Sequence, residues 1–211
     1  MAGGVEIEAV YVEAGSLDHV LAALDLPPGV SVRELAPGVL ERVASTVTPQ
    51  PVLAIARQCD VPLAAVTGWA VVAAGVGDPG NLGTILRVAE AAGAARVVTL
   101  EGTVDVFSPK VVRASAGALF HVPAVVASLE DVAAAGLRLV GTSSHRGDRH
   151  TEADWSGRVA IVAGSEAHGV ADDAPVDQWV RIEHRGRAES LNVAMATTVL
   201  CFEAARARAT S

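Results

Sequence analysis

Apolar and polar positions change their period several times along this chain, and each change marks an element. Val5–Val12 alternates acidic and apolar residues through Glu6, Ile7, Glu8 and Ala9, the two-residue period of a half-exposed strand. Ser16–Leu24 follows as a short helix capped by Ser16, Val32–Ala44 reads as strand, turn and helix, and Val52–Ala56 as a further buried strand. From Trp69 onward strands and helices alternate. Strands are predicted at Trp69–Ala74, Arg96–Leu100, Leu137–Thr142, Val159–Ala163 and Trp179–Ile182, with helices at Leu82–Ala92, Ser108–Ala118, Leu129–Ala135 and Leu191–Arg208. Val71-Val72-Ala73-Ala74 and Val159-Ala160-Ile161-Val162 are unbroken apolar runs, which suit a parallel sheet covered on both faces. On the last helix Leu191, Met195, Thr198, Phe202 and Ala205 recur at spacings of four and three, a largely apolar stripe that must pack on something. Ser190 is the expected N-cap, which leaves the side-chain amide of Asn192 free in the first turn.

Half of the 211 residues are apolar, enough for a sizeable core. Pro62 and Gly68 interrupt the pattern, which gives a small domain at 1–58, a linker at 59–68 and a larger domain at 69–211. No apolar run approaches the length of a membrane span. Met1–Val12 lacks the basic start and apolar centre of a signal peptide, so the chain reads as cytoplasmic. Cys59 and Cys201 lie far apart within apolar segments and read as reduced core residues, not as a disulfide or metal pair. The net charge of −8 argues against a protein that grips nucleic acid by bulk electrostatics.

In an open parallel sheet, ligands bind beyond the carboxyl ends of the strands, so the turns that follow them matter most. Three are unusual. The first, Gly75-Val76-Gly77-Asp78-Pro79-Gly80, matches G-x-G-x-x-G after a strand, with Glu101 after the next one, the fingerprint of a nicotinamide dinucleotide site. Pro79 and an expected N-cap at Asn81 count against it, since Gly80 then lies in the loop and not against the sheet. Arg87 falls four residues after Gly83, where the missing side chain leaves room for the guanidinium to lie toward the helix start. It reads either as a solvated arginine or as a clamp for phosphate or carboxylate. The second turn, Gly164-Ser165-Glu166-Ala167-His168-Gly169, offers a carboxylate between glycines that admit a flat ligand close to the backbone. It is not a G-x-S-x-G elbow, and His168 has no partner at zinc spacing, so no metal site is expected. The third turn is Glu183–Asn192, ahead of the last helix.

Taken in order, Asn81-x-Gly83-x-x-x-Arg87, Gly164-x-Glu166-x-x-Gly169 and Glu189-Ser190-Leu191-Asn192 resemble the three motifs of the SpoU/TrmH family, the SPOUT-class RNA ribose 2′-O-methyltransferases. The resemblance covers Trp69–Arg208, and Val5–Gln58 is similar to the later part of the family's small RNA-binding domain. It implies an α/β fold: a parallel-sheet methyltransferase domain whose tail is threaded into a trefoil knot, preceded by a small α/β substrate-binding domain that is N-truncated here, either because the true start lies upstream or because the module is trimmed. It also implies a homodimer packed through the knotted domains, with S-adenosylmethionine as cofactor and RNA, ribosomal or transfer, as partner. Carried over by position, the cofactor contacts fall on Thr142, Ser143, Ser144, Gly164, Glu166, Gly169, Ile182, Leu191 and Asn192. Arg87, Asn81, Glu166, Ser190 and Asn192 are the catalytic candidates, with Arg87 as a phosphate anchor that steadies the developing alkoxide and serves a site partly built by the partner subunit.

The chain departs from the family at Glu183, where a proline is usual, and in beginning at what resembles the middle of the small domain. His145-Arg146-Gly147-Asp148-Arg149-His150, His184-Arg185-Gly186-Arg187, and Lys110 with Arg113 are local basic clusters. Arg146, Arg149, Arg185, Arg187 and Arg113 are therefore the candidate RNA contacts, forming a local basic track if the first two clusters frame the cofactor mouth, and otherwise solvated loops. Two rival readings are a cofactor- or RNA-binding protein of the same fold without turnover, and a nicotinamide-dependent oxidoreductase.

Overall fold

The computed structural model describes residues 5–44, 46, 48–58, 62, 63 and 66–210; Cys59 and part of the expected linker lie outside them. The chain divides into two compact units, Met1–Cys59 and Asp60–Ser211.

In the first unit, strand β1 (Ile7–Glu13) is followed by helix α1 (Leu17–Ala23), β2 (Ser31–Leu35), α2 (Val39–Val43) and β3 (Val52–Ala56). β1 is central, parallel to β2 and antiparallel to β3. Val10 and Val12, two residues apart on β1, bury their side chains with Val20 of α1. Two expectations fail here. Ser16 occupies the cap position of α1 without a side-chain hydrogen bond. β3 is an edge strand whose Ala54, Ile55 and Ala56 are exposed, so its apolar run does not mark a buried strand.

The second unit carries β4 (Trp69–Ala73), α3 (Pro79–Ala91), β5 (Arg96–Thr99), α4 (Pro109–Ala114), β6 (Ala124–Val126), α5 (Leu129–Ala134), β7 (Arg138–Ser143), β8 (Asp148–Arg149), β9 (Val159–Ala163), β10 (Gln178–Arg181) and α6 (Val193–Ala209). Seven parallel strands run in the order β6-β5-β4-β9-β7-β10-β8. Every residue of β4 and of β9 is buried, the signature of strands covered on both faces. Trp69, Val71 and Ala73 face one core with α3, α4 and α6, while Ala70 and Val72 face a second core with Val132 of α5. Leu63 and Val66 already pack into that second core.

This strand order positions the site. β9 lies between β4 and β7, and β10 lies beyond β7, so the turns that leave these four neighbouring strands emerge side by side.

Helix boundaries differ from expectation in instructive ways. α3 begins at Pro79, not Leu82, because Asp78 is its cap: the Asp78 Oδ1 accepts the Asn81 N–H at 2.8 Å, and Pro79 sits at N1, where a missing N–H costs nothing. Asn81 is thus inside the first turn, and so is Gly80. α4 stops at Ala114, where the chain turns through positive φ at Ala116 (48°) and Gly117 (95°) into a 3₁₀ turn. Strands β6 and β8, three and two residues long, are too short to show a period.

The cap of α6 is Asn192, not Ser190: the Asn192 Oδ1 accepts the N–H groups of Ala194 and Met195 at 2.9 and 3.2 Å. Its buried face is Ala194, Thr197, Leu200, Cys201 and Ala204. The stripe expected to pack inward instead faces outward, with Met195 63% and Phe202 50% exposed, flanked by Leu191 and Val199. α6 is apolar on two sides, and the smaller residues take the close-packed one. Burial pushes the Cys201 thiol up to about 12, which keeps it an inert core group.

Candidate active site

The turn after β4 is held from both sides. Thr103 Oγ1 accepts the Gly75 N–H at 3.0 Å and donates to the Ala73 carbonyl at 2.9 Å. Beyond it, the Glu166 carboxylate accepts the Gly77 and Asp78 N–H groups at 3.3 and 3.4 Å. These are donors that a dinucleotide pyrophosphate would require at a G-x-G-x-x-G turn. They are already engaged by a carboxylate, which removes the physical basis for the nicotinamide reading.

From Glu166 a chain of side-chain hydrogen bonds joins all three motifs. The Glu166 Oε1 accepts from the Asn81 Nδ2 at 2.8 Å, the Asn81 Oδ1 accepts from the Asn192 Nδ2 at 3.0 Å, and the Asn192 Oδ1 caps α6. The amide of Asn192 is therefore committed to this relay and not free. Each amide here donates on one side and accepts on the other, a sense that an ionised carboxylate at the head fixes.

Burial pushes the Glu166 carboxyl up, but the Asn81 amide and the N–H groups of Glu166 itself, Gly77 and Asp78 together outweigh it and hold the group below its ordinary value. A lowered folded-state pKa stabilises the fold above the unfolded value, and that contribution disappears as pH falls through the folded one. Glu166→Gln is expected to cost about 1 kcal/mol near neutrality and to lose less stability than the native chain on acidification below about pH 4.5. Thermal melts from pH 7 to 3 check this.

The turn that carries Glu166 closes on itself. Ser165 and Gly169 exchange backbone hydrogen bonds at 3.1 and 2.9 Å, and Gly169 adopts φ +68°. A Cβ on Gly164 would lie 2.0 Å from the Gly169 carbonyl carbon and 2.1 Å from the Val170 nitrogen. The glycine is demanded by the returning backbone, so close approach of a ligand is not what explains it. Gly83 is likewise explained by a neighbour: its Cβ would meet Ala114 Cβ at 2.4 Å, so α4 fills the space expected to receive Arg87. Arg87 is exposed and makes no hydrogen bond or ion pair among the described residues.

Where the turns after β7, β9 and β10 meet lies a cavity of about 530 Å³. Of the cofactor candidates, Thr142, Ser143, Ser144, Gly164, Glu166, Gly169, Ile182 and Leu191 line it, as does the catalytic candidate Ser190; Asn192, Asn81 and Arg87 do not. The charged lining is one-sided. Asp172, Glu166 and Glu189 contribute carboxylates, the other titratable groups are His145, His168 and His184, and among the described residues no lysine or arginine lines it. Sequence reasoning missed Asp172 and Glu189 as lining groups; Glu189 stood next to Ser190 in the third motif, whereas Asp172 had no local signal.

The expected basic track is largely compensated. Arg146 pairs with Asp172 at 2.9 Å and stacks over Trp179 at 3.6 Å from the ring centroid. Arg149 pairs with Glu183 at 3.0 Å and approaches Glu152 at 3.9 Å. Glu183 is thus tied to β8. Arg185 and Arg187 are exposed, with no partner among the described residues. Arg113 lies apart, beside the start of α3.

Residues 68–202 match the SpoU rRNA Methylase family. The chain is similar to the 23S rRNA (guanosine(2553)-2′-O)-methyltransferase RlmP of Bacillus subtilis (strain 168), 35% identical over 193 residues, which cover 88% of this chain and 77% of the relative. Two other relatives, from Synechocystis and Streptomyces viridochromogenes, are matched over 50% of their length. Among solved structures, it is similar to the AdoMet-bound rRNA methyltransferase from Sinorhizobium meliloti (TM-score 0.83, 33% identity, 96% of this chain and 81% of that one). It is also similar to the SpoU methyltransferase AviRb from Streptomyces viridochromogenes in complex with AdoMet (TM-score 0.83, 27% identity, 99% and 86%). The three motifs joined by one relay, and a family match that spans most of the larger unit, lead to one conclusion: this chain belongs to the SpoU rRNA methylase family.

Proposed function

We propose that this chain transfers a methyl group from S-adenosylmethionine to a ribose 2′-hydroxyl of ribosomal RNA. The observation that carries the reading is the carboxylate-lined cavity at the strand ends, built from two of the family's motifs and coupled to the third through Glu166, Asn81 and Asn192. When bound, S-adenosylmethionine supplies an electrophilic methyl on a positively charged sulfonium. Glu166 and Glu189 give the cavity the sign that suits such a cation, Asp172 being paired with Arg146, and its volume falls in the range of small-molecule sites, roughly 300–1,000 Å³. Thr142, Ser143, Ser144, Gly164, Gly169, Ile182 and Leu191 would hold the cofactor.

The protein's part in an in-line displacement is chiefly to fix two partners in one geometry. The relay holds the start of α3, the 164–169 turn and the start of α6 in register, so Asn81, Glu166 and Asn192 act as positioning groups. Ser190, exposed at the cavity rim, orients the acceptor. A guanidinium offers a fork of N–H donors and no acceptor, so Arg87 serves as a donor that anchors phosphate and stabilises the alkoxide as it forms. Arg185 and Arg187 add uncompensated positive charge near the turn that lines the cavity.

The reading extends to assembly and backbone path. A second copy covers the exposed face of α6, where Leu191, Met195, Val199 and Phe202 leave apolar surface uncovered, and the partner completes the acceptor side near Arg87. Met195→Glu with Phe202→Glu is expected to convert a dimer into a monomer in sedimentation equilibrium, with the secondary structure of α6 retained in circular dichroism. The segment after β10 returns past β7 and β9 to place α6 on α3, and threading it through a loop gives the family's trefoil knot. Small-domain residues 1–58 serve the RNA, and 59–68 the link to the catalytic domain at 69–211.

Nucleotide-resolution mapping of ribose methylation in a strain lacking the gene tests the function. The expected result is one ribosomal RNA position whose methylation disappears and returns on complementation; an unchanged map would overturn the proposal.

A further inference from the structure

We propose that the cleft between α3 and α4 is a subsite for a backbone phosphodiester of the RNA, with Lys110 as its principal cation. The inference rests on the RNA-methylation reading and adds a place that none of the three motifs marks. The cleft, about 440 Å³, is lined by Asp78, Pro79, Gly80, Lys110, Arg113 and Ala114. Lys110, Arg113 and Ala114 share one face of α4, at spacings of three and four. Gly80, Gly83 and Arg87 share one face of α3 at the same spacings. The two faces meet where Gly83 admits Ala114, so backbone forms the floor of the seam, and Arg87 sits two turns along from Gly80.

The charges around this seam favour an anion. Lys110, the chain's only lysine, is exposed and makes no hydrogen bond or ion pair among the described residues. The opposing carboxylate, Asp78, is turned onto α3 as its cap and accepts the Asn81 N–H. That residue also joins the seam to the reaction site, because the Asp78 N–H bonds Glu166 at the head of the relay. A phosphate held here lies next to the acceptor side of the catalytic cavity, on the same α3 face as Arg87. This places the RNA grip of an acidic protein in a local seam, and total charge does not limit it.

The test compares the native chain with Lys110→Ala, Lys110→Arg and Lys110→Glu in binding to a ribosomal RNA fragment at rising salt. A lysine that neutralises one phosphate contributes about one unit to the salt slope. Lys110→Ala is therefore expected to bind more weakly, and its deficit is expected to shrink about fourfold as salt rises about fourfold. Lys110→Arg should restore affinity, Lys110→Glu should weaken it further, and titration with S-adenosylmethionine should be unchanged in all three. Equal RNA affinity and equal slope in the native chain and Lys110→Glu would overturn the subsite while leaving methyl transfer by the native chain intact. Failure of the native chain to methylate any RNA would instead remove the reading beneath it. Inorganic phosphate titrated into both proteins separates the sources of the anion: saturable binding abolished by Lys110→Glu, with RNA affinity unaltered, would also overturn the proposal.

Discussion

Arg87→Ala is expected to lower methyl transfer by about 10²- to 10³-fold, the usual cost of removing one donor aimed at a developing oxyanion. S-adenosylmethionine affinity should stay nearly native. The separation follows from where the residue stands. Arg87 is on the exposed side of α3, contributes nothing to the wall of the cavity and supports no other described residue through a hydrogen bond or ion pair. Its loss therefore leaves the cofactor site and the fold as they were. Isothermal titration with S-adenosylmethionine, thermal melting and single-turnover methyl transfer check the three parts separately. Loss of cofactor binding in Arg87→Ala would mean that the guanidinium belongs to the cofactor site, and the assignment would fail.

Gly164→Ala should be among the most damaging single methyl additions in the chain's larger unit. The added carbon meets backbone at 2.0 and 2.1 Å, and the opposing atoms belong to a turn pinned by the paired bonds between Ser165 and Gly169 and by the grip of Glu166 on Gly77, Asp78 and Asn81. No side-chain rotation relieves such a clash. Overpacking of this kind costs about 3 kcal/mol or more, and for a chain of this size that lowers Tm by about 6–12 °C. Cofactor binding should fall with it, because the displaced turn lines the cavity. Gly186→Ala is the matched control: among the described residues nothing lies within 4 Å of its Cβ and its φ is not positive, so Tm should barely move. A Gly164→Ala protein that melts and binds like the native one would contradict the close return of the chain at 169–170.

Much of the larger unit was legible because its signals are local. Val159–Ala163 is a strand with the predicted bounds, and Trp69–Ala73 differs from its predicted run by one residue, since unbroken apolar runs between turns have few other solutions. The three motifs were legible for the same reason: spacing within a turn survives in the sequence. The caps were not. Asp78 and Asn81 are both competent caps three residues apart, and so are Ser190 and Asn192 two residues apart. What decides between them is tertiary, since Asn81 and Asn192 are needed for the relay to Glu166, 85 residues from Asn81. The same holds for the charges. Arg146 and Arg149 looked like free cations because Asp172 and Glu183, their partners, are 26 and 34 residues away. The outward stripe of α6 was illegible for a different reason: a helix apolar on two sides gives no preference for which one faces its own core.

The chemistry assigned to the cavity and the relay can be read from one product. Purified protein is incubated with methyl-labelled S-adenosylmethionine and ribosomal RNA from a strain lacking the gene, and the RNA is then hydrolysed in alkali. A methylated 2′-hydroxyl cannot attack the neighbouring phosphate, so the label is expected in alkali-resistant dinucleotides, and to fall by about 10²- to 10³-fold when Arg87→Ala replaces the native chain. Label recovered in mononucleotides, or no incorporation by a native protein that binds the cofactor, would contradict transfer to ribose.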